Sequence, residues 1–329
     1  MPADAASARD WLRHQVHKLR PKTTTPEAVE PARPRIAVVT DSAAALPANW
    51  VAAHGASGLL AIVPMPVIIG ENVFSDDDAE LETHISLALA AGTPVRTSRP
   101  SPGQFDKAYR AAAEAGFDAV VSIHISKKLS GTLDAAQLAA GRAGIPVRVL
   151  DSGTVGMAQG VAVQAAVVAA AQGSGAEAVA AVAGAAALRT SVYFYVPSLE
   201  QLRRGGRISL ASSWVGTVLD IKPLLGIRDG AVVPLEKVRS AAKAIARLET
   251  LAAAEIARRE PGRAQLSLHH FGNEHQAGIL NESLRTRFPG LAAADMTRLP
   301  AVLAAHAGLG VLVVVVSDAI VPPQRELGS

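Results

Sequence analysis

The chain has 329 residues, 32 Lys and Arg against 29 Asp and Glu, and no cysteine. The absence of cysteine excludes disulfides, thiolate metal sites and a cysteine nucleophile, and it suits a reducing compartment. The first 35 residues hold seven basic side chains (Arg9, Arg13, Lys18, Arg20, Lys22, Arg33, Arg35) and four acidic ones (Asp4, Asp10, Glu27, Glu30). That leaves 25 of each sign for the rest, so a chain-wide basic face for nucleic acid is excluded.

About a fifth of the chain is alanine, aromatic residues make up 4%, and 49% is hydrophobic. A large core can therefore be buried, and disorder of the whole chain is excluded. Residues 1–35 read as a basic extension. A short amphipathic helix is predicted from about Ala8 to Leu19, followed by a linker marked by Pro21, Pro26, Pro31 and Pro34. They lack the apolar run of a signal peptide.

Ile36-Ala37-Val38-Val39-Thr40 is a short apolar strand, followed by a helical segment near Pro47. A second apolar run, Leu59 to Ile69, is limited by Pro64 and Pro66. Helices are predicted over about 78–91, 102–115 and 131–143. Asp118 to Ile125 and Pro146 to Leu150 read as strands. The stretch from Val161 to Leu188 is very apolar but mostly alanine, and Gly173-Ser174-Gly175 divides it. It predicts two soluble helices rather than a membrane span.

This alternation argues for a parallel sheet covered by helices. The pattern changes after about 190. Val192 to Val196 is a strand, and Asp229-Gly230 between two apolar runs signals a hairpin. Ala241–Arg258 and Glu274–Arg287 are helical, Ala264–His270 is a strand, and Val311–Val316 is a buried central strand. The expected architecture is α/β in two domains. An N-terminal, Rossmann-like parallel-sheet domain covers 36–188, and a C-terminal domain of mixed or antiparallel sheet with helices covers 189–321. The extension 1–35 and a tail 322–329 flank them.

No phosphate-loop, G-x-S-x-G or H-E-x-x-H motif is present. His269-His270 with Glu274-His275 lacks a metal spacing and reads as a solvated strand end. Asp76-Asp77-Asp78 reads as the first turn of a helix, where acids meet the positive end of the dipole. The positive signal is that hydroxyls follow the first-domain strands. They stand at Thr40-Asp41-Ser42, at Ser126 through Ser130-Gly131-Thr132, and at Asp151-Ser152-Gly153-Thr154, with Thr97-Ser98 in the loop before 102. The carboxyl ends of parallel strands share one edge, where ligands bind. Hydroxyls and helix N-termini gathered there suit an anion, while capping explains each one singly.

The body also divides in charge. Residues 36–100 hold two basic and seven acidic side chains, and 201–250 hold nine and four. Gly205-Gly206 before Arg207 implies an unusual backbone beside a cation. His306 is placed in a small-residue loop, His306-Ala307-Gly308-Leu309-Gly310.

Together these residues resemble the bacterial DegV family of fatty-acid-binding proteins, from Ile36 nearly to Val316. The matching motifs are Val39-Thr40-Asp41-Ser42, Thr97-Ser98-Arg99-Pro100-Ser101-Pro102, Ile125-Ser126-Lys127-Lys128-Leu129-Ser130-Gly131-Thr132, Val149-Leu150-Asp151-Ser152, Leu202-Arg203-Arg204-Gly205-Gly206-Arg207-Ile208, Lys222-Pro223, Lys237-Val238-Arg239 and His306-Ala307-Gly308. The resemblance implies one long-chain fatty acid, such as palmitate, stearate or oleate, buried between two domains of a cytoplasmic lipid-binding protein.

It also implies a non-catalytic fatty acid kinase subunit. Such a subunit presents the carboxylate to a separate kinase and holds the acyl phosphate. It needs no cofactor, metal or nucleic acid, and it can touch a membrane transiently. By position Thr97, Ser126 and His306 form the carboxylate-binding group. Ser98, Ser130, Gly131, Thr132 and Arg207 are candidates for head-group or partner contact.

Burying ~14 methylenes at ~0.8 kcal/mol each contributes about 11 kcal/mol gross. Arg99 stands where the family commonly has Gln, Lys127 where it has a second Ser, and Leu309 where it has Pro. The alternatives are a dihydroxyacetone-kinase-like enzyme subunit, with His306 or His270 engaging the substrate, and a stand-alone lipid sensor.

Overall fold

A computed structural model describes residues 34–76, 78, 80–208, 221–291 and 295–320. The predicted helix near 8–19, its linker and the tail 322–329 lie outside the described residues.

The first half alternates strands and helices. β1 (Ile36–Asp41), β2 (Leu60–Val63), β6 (Ala119–His124) and β7 (Val147–Asp151) form a sheet in the order β2-β1-β6-β7, with every pairing parallel. Both central strands, β1 and β6, are buried at every residue. Their apolar residues alternate between two cores. Ala37, Val39 and Val120 face Phe105 and Tyr109 of α3 (Pro102–Glu114) and Ala136 of α4 (Thr132–Ala140). Val38, Val121 and Ile123 face the alanines and valines of α5 (Met157–Ala171) and α6 (Ala176–Leu188). That two-sided burial is why the strands read as continuous apolar runs. Helix α1 (Ala48–Gly55) packs at the β2 edge, and α2 (Leu81–Ala90) follows the acidic run. The alanine-rich stretch is two helices, as predicted.

The second half is a six-stranded mixed sheet in the order β10-β9-β8-β13-β11-β12. Its strands are β8 (Ser191–Tyr195), β9 (Lys222–Arg228), β10 (Ala231–Val238), β11 (Ala264–Phe271), β12 (Asp295–Arg298) and β13 (Val311–Asp318). Only β11 and β12 pair in parallel. The β9–β10 hairpin turns at Asp229 (φ 48°) and Gly230 (φ 78°), the left-handed pair that Asp-Gly predicts. In β13, Leu312, Val314 and Val316 pack under α8 (Ala241–Ala257) and α9 (Glu274–Arg287). Val311, Val313 and Val315 face the core shared with the first half.

Four features were not foreseen. β3 (Pro66–Ile69), β4 (Asn72–Ser75) and β5 (Val95–Thr97) make a small antiparallel sheet. The edge strand β12 and two short helices, α7 (Glu200–Arg204) and α10 (Ala301–Ala307), are the others. Strands of three or four residues, half exposed, carry little period-two signal.

Helix α5 lies between the two sheets. It touches β1 and β6 on one side and β13 on the other, and it is buried at almost every position. Alanine and glycine permit this. A Cβ added at Gly160 would stand 2.5 Å from the Ala44 carbonyl and 2.7 Å from Met157 Sδ. Helix propensity alone would favour Gly160→Ala by about 1 kcal/mol. The close approach reverses the sign, so G160A is expected to destabilise the protein by about 1–3 kcal/mol, read as a lower urea midpoint with an unchanged slope.

Candidate functional site

A cavity of about 100 Å³ opens within the core shared by the two sheets. Its walls are apolar and come from both halves. Met65, Ile125 and Val155 stand on one side, and Phe194, Val232 and Val313 on the other. Five lining residues carry polar side chains: Thr97, Ser130, Arg207, His269 and His306.

Thr97 ends β5 rather than standing in a loop, and His306 lies in the last turn of α10, not in a glycine loop. The helix begins after Pro300 and ends at Gly308 (φ 83°). Thr97 Oγ1 and His306 Nε2, 209 residues apart in the chain, stand 2.7 Å apart. The first-half acids contribute to this placement. Asp76 Oδ1 accepts from the Val302 N–H at the start of α10, and Arg298 pairs with Glu82 at 2.5 Å. Asp78 caps its own turn through the Glu80 N–H, and Asp77 lies outside the described residues.

Arg207 lines the cavity beside Leu129. Its Nε donates to the Leu129 carbonyl at 2.9 Å, and Nη1 donates to the Gly205 carbonyl. Gly206 adopts φ 72°, so the unusual backbone expected beside this arginine is present. Ser130 lines the cavity, and its hydroxyl meets Thr132 Oγ1 at 2.8 Å.

Other candidates sit outside the lining. Ser126 is buried; its hydroxyl donates to the Gly230 carbonyl at 2.7 Å and accepts from the Lys128 N–H. It therefore fastens the tip of the β9–β10 hairpin to the first half. Ser98 is exposed and donates to the Arg99 carbonyl. Gly131 caps α4 under the Arg99 guanidinium, and Thr132 is buried at the first helical position.

His269 was missed as a cavity residue. It and His270 are buried rather than solvated, because β11 runs inside the sheet. Among the described residues no three His, Asp or Glu side chains are grouped to hold a metal. The Met157 N–H, at the first turn of α5, donates to His269 Nε2 at 3.1 Å. Nδ1–H must then donate to Thr297 Oγ1, 2.8 Å away. With both nitrogens occupied, the ring offers the cavity only its carbon edge.

A second polar cluster resembles a nucleophilic triad. His124 Nδ1 donates to Asp41 Oδ2 at 2.9 Å, His124 Nε2 meets Ser122 Oγ at 2.7 Å, and Ser122 meets the Tyr109 hydroxyl at 2.8 Å. Ser122, His124 and Asp41 have no solvent exposure, so no substrate reaches them. Burial pushes the Tyr109 hydroxyl up to about 12, against a smaller opposite effect of its bond to Ser122. The cluster organises loops instead, because Asp41 also accepts from the Ala43 and Ile125 N–H groups.

Fold and cavity together define an α/β protein of two large sheets and one small one, built around an apolar pocket with a polar end. The chain belongs to the DegV family, whose profile ("Uncharacterised protein, DegV family") matches residues 35–319. It is 46% identical over 287 residues to a DegV domain-containing protein of Streptomyces coelicolor, covering 86% of this chain and 98% of that one. The fatty-acid-binding DegV family protein of Thermus thermophilus superposes with a TM-score of 0.79 at 31% identity, over 87% of this chain and 100% of that one. DegV of Bacillus subtilis, a fatty acid binding protein, gives 0.78 at 28% identity, over 87% and 99%.

Burial lowers both cavity histidines to about 4. For His269 the neighbouring His270 adds to this effect, and for His306 the positive Arg207 does. In the unfolded chain each titrates near 6.5. Between these values the unfolded state binds more protons, so stability falls as pH drops through that window and is level above it. Each group contributes on the order of 3 kcal/mol of loss at the acid end. Urea unfolding from pH 7.5 to 4.5 is expected to show this slope, and His306→Gln should reduce it by about one proton.

Proposed function

We propose that this chain binds one long-chain fatty acid in the cavity, with the tail among the apolar walls and the carboxylate at the end marked by Thr97 and His306. The observation that carries the reading is the combination of an apolar cavity between two sheets with the hydrogen-bonded neutral pair Thr97–His306 at one end. Thr97 donates to the head group with neutral His306 bonded behind it, without a competing negative charge. Ser130 and Arg207 stand at the mouth, where a carboxylate or its activated form would emerge. Ser126, fixed to Gly230, acts on the ligand by holding the hairpin that supplies Ile227 and Val232 to the wall.

The division near 188/189 makes the two sheets separate domains and the cavity their interface. The protein is a non-catalytic carrier that offers the carboxylate to a separate kinase. The inaccessible Asp41–His124–Ser122 cluster supports this, since it withholds the hydrolase-like arrangement found among the described residues from substrate. Cytoplasmic placement accords with a described chain in which no helix is long and apolar enough to cross a membrane.

Native mass spectrometry of the purified protein is expected to show a co-purified mass of a C14–C18 fatty acid. Failure both to carry one and to take up labelled palmitate or oleate refutes the reading. Thr97→Val is expected to weaken oleate binding by about 1–3 kcal/mol, the loss expected when a buried acceptor loses its donor, while Thr97→Ser retains it. Ser126→Ala frees the hairpin tip and is expected to raise the oleate dissociation rate. Mixing with a fatty acid kinase and ATP tests the carrier role by the appearance of acyl phosphate.

A further inference from the structure

His306 stands where three distant segments meet: its own helix α10, the end of β5, and the Gly205-Gly206-Arg207 turn after α7. Nε2 faces Thr97 Oγ1, while Nδ1 is buried without a hydrogen-bond partner. What Nδ1 faces is Gly205. A Cβ at that position would lie well inside van der Waals contact of Nδ1 and 2.8 Å from Cε1. The obstacle is a packed ring, not the free end of a flexible chain. Gly205 itself has ordinary helical backbone (φ −76°), so the position needs glycine for space alone.

Where other residues carry Cβ, Gly205 presents a hydrogen to Nδ1. A C–H is a weak donor and complements a lone pair. Set against an N–H, it would leave that donor stranded in a dry site, at the full desolvation penalty. The neutral imidazole has one N–H, so a lone pair on Nδ1 places the proton on Nε2. Burial and the nearby Arg207 favour that neutral form. The Nε2–H then donates to Thr97 Oγ1, and the Thr97 hydroxyl keeps its own proton for a third group.

We infer that Gly205 is a positioning residue: it admits the His306 ring as the Nε2–H tautomer and thereby makes the Thr97 hydroxyl a donor to an anionic oxygen in the cavity. Arg207 serves the same device. By donating to the Gly205 and Leu129 carbonyls it holds the glycine turn against the loop at the cavity mouth. The ligand half of this inference rests on the carboxylate reading above; the tautomer half does not.

The test uses ¹⁵N-histidine-labelled full-length protein, with the His306 ring assigned by its disappearance in His306→Gln. Multiple-bond ¹H–¹⁵N spectra at pH 7 are expected to show Nε2–H for ligand-free wild type; Nδ1–H, or an even mixture, overturns the inference. Gly205→Ala is expected to lose that signature and to weaken labelled oleate at least tenfold. Gly184→Ala, whose added Cβ meets nothing within 4 Å, is expected to bind as wild type does. Wild-type oleate affinity in G205A overturns the positioning role. If circular dichroism shows G205A unfolded, the wild-type spectra decide. A wild-type protein that takes up no fatty acid refutes the carboxylate reading, and the spectra still decide the tautomer.

Discussion

The structure depends on one helix being thin enough to lie between two sheets. Helix α5 carries alanine, valine and glycine where a soluble helix ordinarily carries a polar face, and it is buried at nearly every turn. Its larger buried side chains are Met157, Gln159 and Gln164, with Gln159 donating to Thr40 Oγ1 and Asp41 Oδ1; at the alanine and glycine positions a larger group would push the sheets apart. The helix starts at Gly156–Met157, and the Met157 N–H is taken by His269 from the opposite sheet. A helix N-terminus buried this way needs such an acceptor. The bond therefore closes the α5 end of the cavity and joins the two halves at once.

The cavity stays apolar because its polar residues are turned to one another. His269 spends both nitrogens on Met157 and Thr297, Arg207 spends donors on two carbonyls, and Thr97 faces His306. What is left over is a small donor set at one end. Such a site discriminates by the position of one oxygen-bearing head group, while the tail contributes most of the binding free energy through area. On the proposed reading, the hairpin that Ser126 fastens to the first half closes over the tail.

The Asp41–His124–Ser122–Tyr109 chain shows how burial decides chemistry. The same order of groups at an open cleft would invite acyl transfer. Sealed under α3, it holds the loops after β1 and β6 in place through the Ala43 and Ile125 N–H groups. The loop after β6 leads into Leu129 and Ser130, which line the cavity.

Much of the fold was legible in the residues. Continuous apolar runs marked β1, β6 and β13, Asp229-Gly230 marked the hairpin, and Gly173 divided the alanine-rich stretch, because period and turn chemistry are local properties. The short strands β4, β5 and β12 were not legible, since three or four half-exposed residues carry no period. Thr97, Ser130, Arg207 and His306 were picked out from hydroxyl placement, glycines and family resemblance; the resemblance grouped Thr97 and His306 with Ser126, and the structure sets Ser126 outside the lining. His269 passed for a solvated strand end, because nothing near it in the chain announces Met157, 112 residues away. The sequence by itself determined the element types, the neutral body and the residues able to bind an anion, all of which follow from local composition. Only the tertiary structure decided which of them share a cavity, that Ser126 holds a hairpin, and that Gly205 must be glycine. Those depend on distances between segments that the chain order does not encode.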